Sequence, residues 1–348
     1  MNTAPIRIGI VGAGANTRDR HIPGFRAIPG VELVAVANRS RASGERAAAQ
    51  FDIPRAYDTW QELVQADGID AIMIGTWPYL HCPVTLAALA AGKHVLTEAR
   101  MAMNLAEARL MLAAARANPR LITQIVPAPF TFGADATIQR LVLEGYVGEL
   151  LAVDMRVSPP NFLNRDAPAH WRNDKALSGV NMMAMGIWYE SLLRWTGGVT
   201  NVLARTRTYV PVRRDAETGA PRATTAPEHV EVIGDMAGGA VFHLQISAVT
   251  GLTSPPEFWL YGSEGTLRYE QTGGGRLSGG KRGAKALEPV EIPAEERGHW
   301  RVEEEFIRAI RGEEQVTRTS FADGVRYMAF TEAVAQSAAT GQAVPILV

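Results

Sequence analysis

Between Arg7 and Arg41 the chain reads as strand, glycine turn, helix and strand, and no other stretch restricts the possible folds as strongly. Ile6, Ile8, Ile10 and Val11 form an apolar run short enough for a buried parallel strand, broken at Gly12-Ala13-Gly14. Gly12 permits a tight turn. Gly14 lets the backbone approach a pyrophosphate, whose charge would rest on the N-terminal amides of a helix opened by Asn16 and Thr17. Thr17 holds the third position of G-x-G-x-x-G/A, a departure that predicts slightly looser helix-strand packing. The second strand, Val31 to Ala37, ends at Asn38, where this dinucleotide-binding fingerprint expects the group that reads the adenosine ribose.

That group also selects the cofactor. NAD-binding versions offer Asp or Glu there to accept from the 2′-hydroxyl, and the carboxylate repels the 2′-phosphate of NADP. Here the run is Asn38-Arg39-Ser40-Arg41, with no acid and two guanidiniums suited to a phosphate. NADP(H) is therefore the expected cofactor, with NAD(H) possible. The bland alternative is a solvated turn into the helix Arg41 to Phe51.

Downstream, strand and helix keep alternating. Ile69 to Gly75 is the next buried strand, and the loop that follows, Thr76 to His81 and including Trp77, lies beyond a carboxyl end, where open α/β sheets bind ligands. Lys93 to Thr97 is another strand, ending in Glu98-Ala99-Arg100, and helix Leu105 to Ala117 leads to strand Leu121 to Val126. From Gln124 to Phe132 two prolines and no helical period mark a domain boundary. The expected class is α/β: a doubly wound parallel sheet over 1–123 and an α+β domain with a largely antiparallel open sheet over 124–348. Two polar, glycine- and proline-rich stretches, Pro211 to Pro227 and Thr272 to Ala286, read as surface loops.

The bulk properties narrow the function classes. With 47% hydrophobic residues, 20% charged and a net charge of −1, the chain has no electrostatic case for nucleic acid or an anionic membrane. Cys82 is the only cysteine, so no disulfide framework or thiolate metal site is expected and no metal is assigned. The first strand begins within a few residues of Met1, leaving no room for a signal peptide, and a cytoplasmic location is expected.

The segments GIVGAGANTRDRHIP, AALAAGKHVLTEARMAMNLAEA, LEGYVGELLAV, YGSEGTL and EEFIRAIRGEEQVTRTSFADGVRYMAFTEAV, in this order, resemble the Gfo/Idh/MocA oxidoreductases over nearly the whole chain. The resemblance implies a Rossmann domain and a C-terminal sheet domain whose open face builds a homodimer or homotetramer. It also implies hydride transfer between NAD(P) and a small sugar-like or cyclic hydroxy/carbonyl compound. Glu98 keeps the place where the family contacts the nicotinamide riboside, Thr76 and His81 keep theirs in the loop, and Trp171, Arg172 and Gly179 match a later segment.

Three positions depart from the family. Its Glu-Lys-Pro is Glu98-Ala99-Arg100 here and, aligned on Gly186, its D-x-G-x-H has Ala184 and Trp188 in place of the acid and the base. Candidates for the missing proton-handling or polarising group are Lys175, Asn181 and Tyr189, then Arg100 and His81. Asn181, Ala184 and Trp188 are expected on one stripe of a helix from Gly179 to Trp195, with Arg172 and Trp188 lining the substrate pocket. Two other outcomes stay open: a cofactor-assisted elimination or glycosidic cleavage without net redox change, and a catalytically inactive regulator or partner subunit.

Overall fold

The apolar run Ile6–Val11 becomes a central strand of a six-stranded parallel sheet in a computed structural model that describes residues 4–159 and 161–348. Residues 1–3, where the expected nucleotide-binding domain starts, lie outside them. The strands are β1 (Ile6–Val11), β2 (Val31–Ala37), β3 (Arg55–Tyr57), β4 (Ala71–Ile74), β5 (His94–Thr97) and β6 (Thr123–Ile125). Their order is β3-β2-β1-β4-β5-β6, and every neighbouring pair is parallel. Strand order reverses between β1 and β4, which opens a crevice beyond their carboxyl ends. All four residues of β4 are buried, as a strand covered on both faces requires. Helices start where side chains can satisfy free amides: Ser40 caps Arg41–Gln50, Thr59 with Glu62 caps Trp60–Gln65, and Asn104 caps Leu105–Ala117.

The chain forms two compact units. One holds the residues up to Pro127 together with Arg301–Val325, and the other holds Ala128–Trp300 and Arg326–Val348. The late segment of the first unit is fastened beside β6. Gln124 donates to Glu305 Oε2 and to the Arg318 carbonyl, each at 2.6 Å, and Ile125 and Thr319 exchange backbone hydrogen bonds.

The second unit is built on a nine-stranded, largely antiparallel sheet. Its strands are β7 (Leu150–Val157), β8 (Val199–Arg207), β11 (His229–Met236), β12 (Val241–Ser247), β13 (Glu257–Gly262), β14 (Gly265–Glu270), β15 (Arg276–Lys281), β16 (Glu288–Pro289) and β17 (Val344–Pro345). They run in the order β16-β15-β14-β13-β7-β12-β11-β8-β17, with β7 and β12 the parallel pair. A separate ribbon pairs β9 (Val212–Arg214) with β10 (Pro221–Ala223). One face is apolar, with Val153, Met155, Val232, Phe242, Leu244, Phe258 and Leu260 buried. Helix Met185–Thr196 packs on it through Tyr189 against Phe242 and Trp195 against Phe258, and helix Phe321–Thr340 adds Phe330. Among the described residues, no helix is long and apolar enough to cross a membrane.

Three local expectations need correction. Thr272 to Ala286 is not a loop, because β15 runs through it. Packing crowds one of its glycines: a Cβ at Gly279 would come within 2.7 Å of the Tyr146 hydroxyl and 3.0 Å of Leu267. Pro211 to Pro227 contains the β9–β10 ribbon. The helix expected from Gly179 to Trp195 is broken: Gly179 (φ 67°) ends a short helix, Lys175–Ser178, Met183 adopts φ 49°, and a new helix starts at Met185. Asn181 therefore lies outside the helix and shares no helical stripe with Trp188.

Candidate active site

At the carboxyl end of β1 the backbone turns through Gly12 at φ 89°, a left-handed conformation, and a Cβ there would meet Thr76 Cγ2 at 2.7 Å and its backbone nitrogen at 2.9 Å. The Gly12 amide donates to the Ala37 carbonyl and the Ala13 amide to Asn38 Oδ1, both at 2.8 Å. The first helical bond then runs from the Arg18 amide to the Gly14 carbonyl, so the amides just before Arg18 point out of the helix end, as an anion site needs. Thr17 does not loosen the packing. It is buried, its hydroxyl donates to the Gly12 carbonyl at 3.2 Å, and the opposite position is bare: a Cβ on Gly75 would lie 2.0 Å from Thr17 Oγ1 and 2.2 Å from the Gly12 oxygen.

The helix continues through a π turn, Thr17–His21, before α-helical Ile22–Arg26. Such turns swing a side chain out of the usual register and concentrate at functional sites. This one is accompanied by a fully buried His21, with Nδ1 2.5 Å from Glu303 Oε1 and Nε2 3.0 Å from Glu98 Oε1. Asn16 Nδ2 donates to the same Glu98 oxygen at 2.5 Å. Burial alone would depress the imidazole, but the hydrogen bonds to Glu303 and Glu98 outweigh it and raise its pKa to about 9. Burial would likewise raise Glu98, yet the hydrogen bond and charge of His21 hold it below the ordinary carboxylate value. Neither His21 nor Glu303 was marked by the sequence. Their partnership spans 282 positions, and only the histidine's place beside the glycine turn hinted at it.

At the end of β2, Asn38 Nδ2 donates to the Ser43 carbonyl at 3.0 Å while Oδ1 holds Ala13, so its amide ties the glycine turn to the next helix. Ser40 is occupied as that helix's N-cap. Arg41 is exposed and pairs with Glu45 at 2.7 Å and Asp58 at 2.6 Å, and Arg39 is exposed beside it. No carboxylate side chain belongs to the Asn38-Arg39-Ser40-Arg41 turn itself.

Beyond β4 and β5, both ring nitrogens of buried His81 face carbonyls, Nδ1 that of Arg100 at 2.8 Å and Nε2 that of Thr76 at 2.9 Å. Burial lowers its pKa, opposed by the two carbonyls that its ring nitrogens face, and the ring links the two loops. Arg100 is buried, Trp77 is half-buried beside Tyr79, and Thr76 Oγ1 is buried with no partner among the described residues. Gly12, Gly14, Asn16, Thr17, Asn38, Thr76, His81, Glu98 and Arg100 thus gather at one end of the parallel sheet.

The remaining candidates belong to the second unit. Lys175 is exposed at the start of its short helix, with its backbone amide on Thr225 Oγ1 at 2.8 Å. Asn181 is buried, and its Nδ2 donates to the Ser178 carbonyl at 2.7 Å. Tyr189 is buried with its ring 3.8 Å from that of Phe330, its hydroxyl accepts from the Val199 amide at 2.8 Å, and burial pushes its pKa up to about 12. Trp188, only 4% exposed, stacks on Phe130 at 4.4 Å and leans on Phe258 at 5.8 Å. Arg172 is exposed over the Trp171 ring at 4.2 Å.

Family models match both halves of the chain: an oxidoreductase family with an NAD-binding Rossmann fold over residues 6–125, and the Gfo/Idh/MocA C-terminal domain over 136–268. The chain belongs to the Gfo/Idh/MocA oxidoreductase family. Among curated Gfo/Idh/MocA relatives, the trans-1,2-dihydrobenzene-1,2-diol dehydrogenase of Bos taurus is 32% identical over 53% of this chain and 53% of its own length. The Mus musculus enzyme of the same name is 35% identical over 42% of this chain and 44% of its own. The chain thus aligns with about half the length of the curated relatives it matches. Among solved structures, levoglucosan dehydrogenase in complex with NADH and L-sorbose superposes with a TM-score of 0.86 at 20% identity, covering 98% of this chain and 99% of that one. The WlbA dehydrogenase from Bordetella pertussis in complex with NADH and UDP-GlcNAcA gives 0.79 at 20% identity, covering 99% of each. At that identity these likenesses concern the fold.

An NAD-type dinucleotide fits the Gfo/Idh/MocA residues present here. The turn at Gly12 leaves no room for a side chain, the helix end at Gly14 offers amides, and the buried Thr76 hydroxyl lacks a partner among the described residues. Among the described residues, no group of three His, Cys, Asp or Glu could hold a metal. Where the resemblance puts the family's lysine, aspartate and histidine, this chain has Ala99, Ala184 and the stacked indole of Trp188, none of which shuttles a proton.

Proposed function

We propose that this protein is an NADP-preferring oxidoreductase that moves a hydride to or from a sugar-like or cyclic hydroxy/carbonyl compound, using a polarising group unlike the family's lysine. A bound nicotinamide supplies the hydride acceptor or donor. Gly12, Gly14 and the amides ahead of Arg18 would carry the pyrophosphate, with Asn16, Thr17 and Asn38 holding that loop in shape and Thr76, Trp77, His81 and Glu98 forming the far side. The single observation that carries the cofactor choice is the end of β2: the Asn38 amide is committed to Ala13 and Ser43, and two exposed guanidiniums follow with no acid in the turn. Arg41 is held by exposed, solvent-screened ion pairs, so a 2′-phosphate can recruit it together with Arg39.

For the reacting oxygen we favour Lys175. Its side chain is exposed, whereas the Tyr189 hydroxyl and the Asn181 amide already serve the backbone. A cation held at a developing alkoxide stabilises it without giving up a proton. Other parts of the same proposal are a small-molecule substrate, a homo-oligomer formed through the open sheet, and a cytoplasmic location in keeping with a single buried cysteine.

Calorimetric titration with NADPH and NADH tests the cofactor choice. NADPH is expected to bind about tenfold tighter or better, and Arg39→Ala is expected to remove most of that margin. Equal affinities would return Asn38 to the role of a ribose partner. Once a substrate is found, Lys175→Met is expected to lower kcat about a hundredfold with cofactor affinity unchanged. A mild effect there and a large one in Asn181→Ala would transfer the role to the amide.

A further inference from the structure

The Asn16–His21–Glu98–Glu303 cluster contains two carboxylates and one imidazole in the wall of the first unit. The side-chain exposures are 0% for His21, 4% for Glu303 and 15% for Glu98, and Asn16 is half-buried, so the cluster reaches the surface through Glu98 and Asn16. Glu98 follows β5 at the carboxyl end of the sheet, its backbone amide held by the Ile74 carbonyl at 2.9 Å. The Asn16 and His21 bonds both land on Oε1, leaving Oε2 with no protein partner among the described residues. Each ring nitrogen of His21 faces a carboxyl group, an arrangement the doubly protonated ring satisfies with both groups ionised, whereas a neutral ring would aim a lone pair at one carboxylate. Asn16 Nδ2 also lies 3.3 Å from His21 Nε2, but two donors cannot bond each other, so both point at Glu98. The chain clears space for the far carboxylate: a Cβ on Gly24 would sit 2.7 Å from the Glu303 carboxyl group.

The geometry points to His21, in its imidazolium form and clamped by Glu303, as a positioning residue that fixes the Glu98 carboxylate so that Oε2 meets the cofactor. This rests on the dinucleotide reading above and adds its pH control. The ring faces the carboxylates of Glu98 and Glu303, and His81 also acts on Glu98. Raised by its carboxylates from 6.5 to about 9, the ring keeps its proton through neutral pH and loses it as pH climbs through the upper value. Glu98 then swings free and binding weakens. Removing Glu303's charge should lower that break by about one to three pH units, the usual effect of one adjacent opposite charge.

The test is the affinity of the full-length protein for NADPH and for NADH between pH 6 and 10, read by nicotinamide fluorescence, in the wild type, Glu303→Gln and Gly24→Ala. Wild-type affinity is expected to hold to about pH 9 and then fall about tenfold or more. Both variants should match the wild type at pH 6 and break earlier. A profile with the same break in the variants overturns the inference, as does a uniform weakening at every pH, which is the mark of a merely structural role. Nitrogen NMR of the wild-type His21 ring gives a check that needs no variant: by linkage the bound cofactor should raise the ring's titration point, and a point the cofactor leaves unmoved overturns the inference. Failure of both dinucleotides to bind the wild type at any pH would instead reject the cofactor reading, and this inference with it.

Discussion

The most exacting contact in the parallel-sheet unit involves a residue with no side chain. Gly75 lies where β4 ends, and a methyl group there would sit 2.0 Å from Thr17 Oγ1 and 2.2 Å from the Gly12 carbonyl oxygen. The first obstacle is a side chain and the second is backbone, so the two separate experimentally. Gly75→Ala is expected to cost about 1–3 kcal/mol of stability and to weaken dinucleotide binding, because the displaced atom belongs to the phosphate turn itself. Adding Thr17→Ala removes the hydroxyl clash and should leave the double variant less stable than Thr17→Ala alone in a urea melt. Full recovery in the double variant would mean that Thr17, not the Gly12 backbone, sets the constraint. The sequence exposed half of this pair. Thr17 stood out as a departure from the fingerprint, but its compensation sits 58 positions away in a glycine that reads as an ordinary strand end. His21 and Glu303 were hidden for the same reason, since a buried ion pair has no local period and a charged residue near the start of a helix usually faces solvent.

At the level of elements, what was legible followed hydrophobic period and glycine placement. The parallel strands were readable because both of their faces are buried, giving short apolar runs, whereas the caps at Ser40, Thr59 and Asn104 emerge from the structure. The hairpin between β11 and β12 turns through Gly239 at φ 88°, a conformation that favours glycine. Strand β15 was not readable. Its Arg-Leu-Ser-Gly-Gly-Lys run has the composition of a loop, and only the pressure of Tyr146 and Leu267 against Gly279 explains why a strand goes bare there. The break before Met185 was missed because Asn181, Ala184 and Trp188 fit a helical spacing that the left-handed Gly179 and Met183 interrupt. That error mattered for function, since it had placed Asn181 and Trp188 on one wall.

The whole molecule leaves one large surface to account for, the uncovered face of the nine-stranded sheet. Along each strand the alternate residues to the buried set are polar or half-exposed: Asp154, Glu231, His243, Trp259, Tyr261 and Arg268. Trp259 and Tyr261 stack at 5.6 Å, Arg268 lies over Trp259 at 4.7 Å, and Ile233 and Val241 stand exposed nearby. The edges are poor docking sites, because β16 and β17 are two residues long and each contains a proline, which blunts strand addition. Association by this sheet should therefore use its face, and a two-fold pairing would set Trp259, Tyr261 and Arg268 of one copy in the same patch as those of the other. Aromatic residues and arginine are the types enriched at such interfaces, and a stable pairing needs about 800 Å² from each partner. We predict that the full-length protein sediments as a dimer or tetramer. Ile233→Glu combined with Trp259→Glu should shift it to monomer at micromolar concentration, because the pairing would lose two large apolar contacts and each copy would have to desolvate two added carboxylates in their place. A monomeric wild type, or a double variant that keeps the wild-type sedimentation coefficient, would remove this face from the assembly and leave its aromatic stripe to another partner.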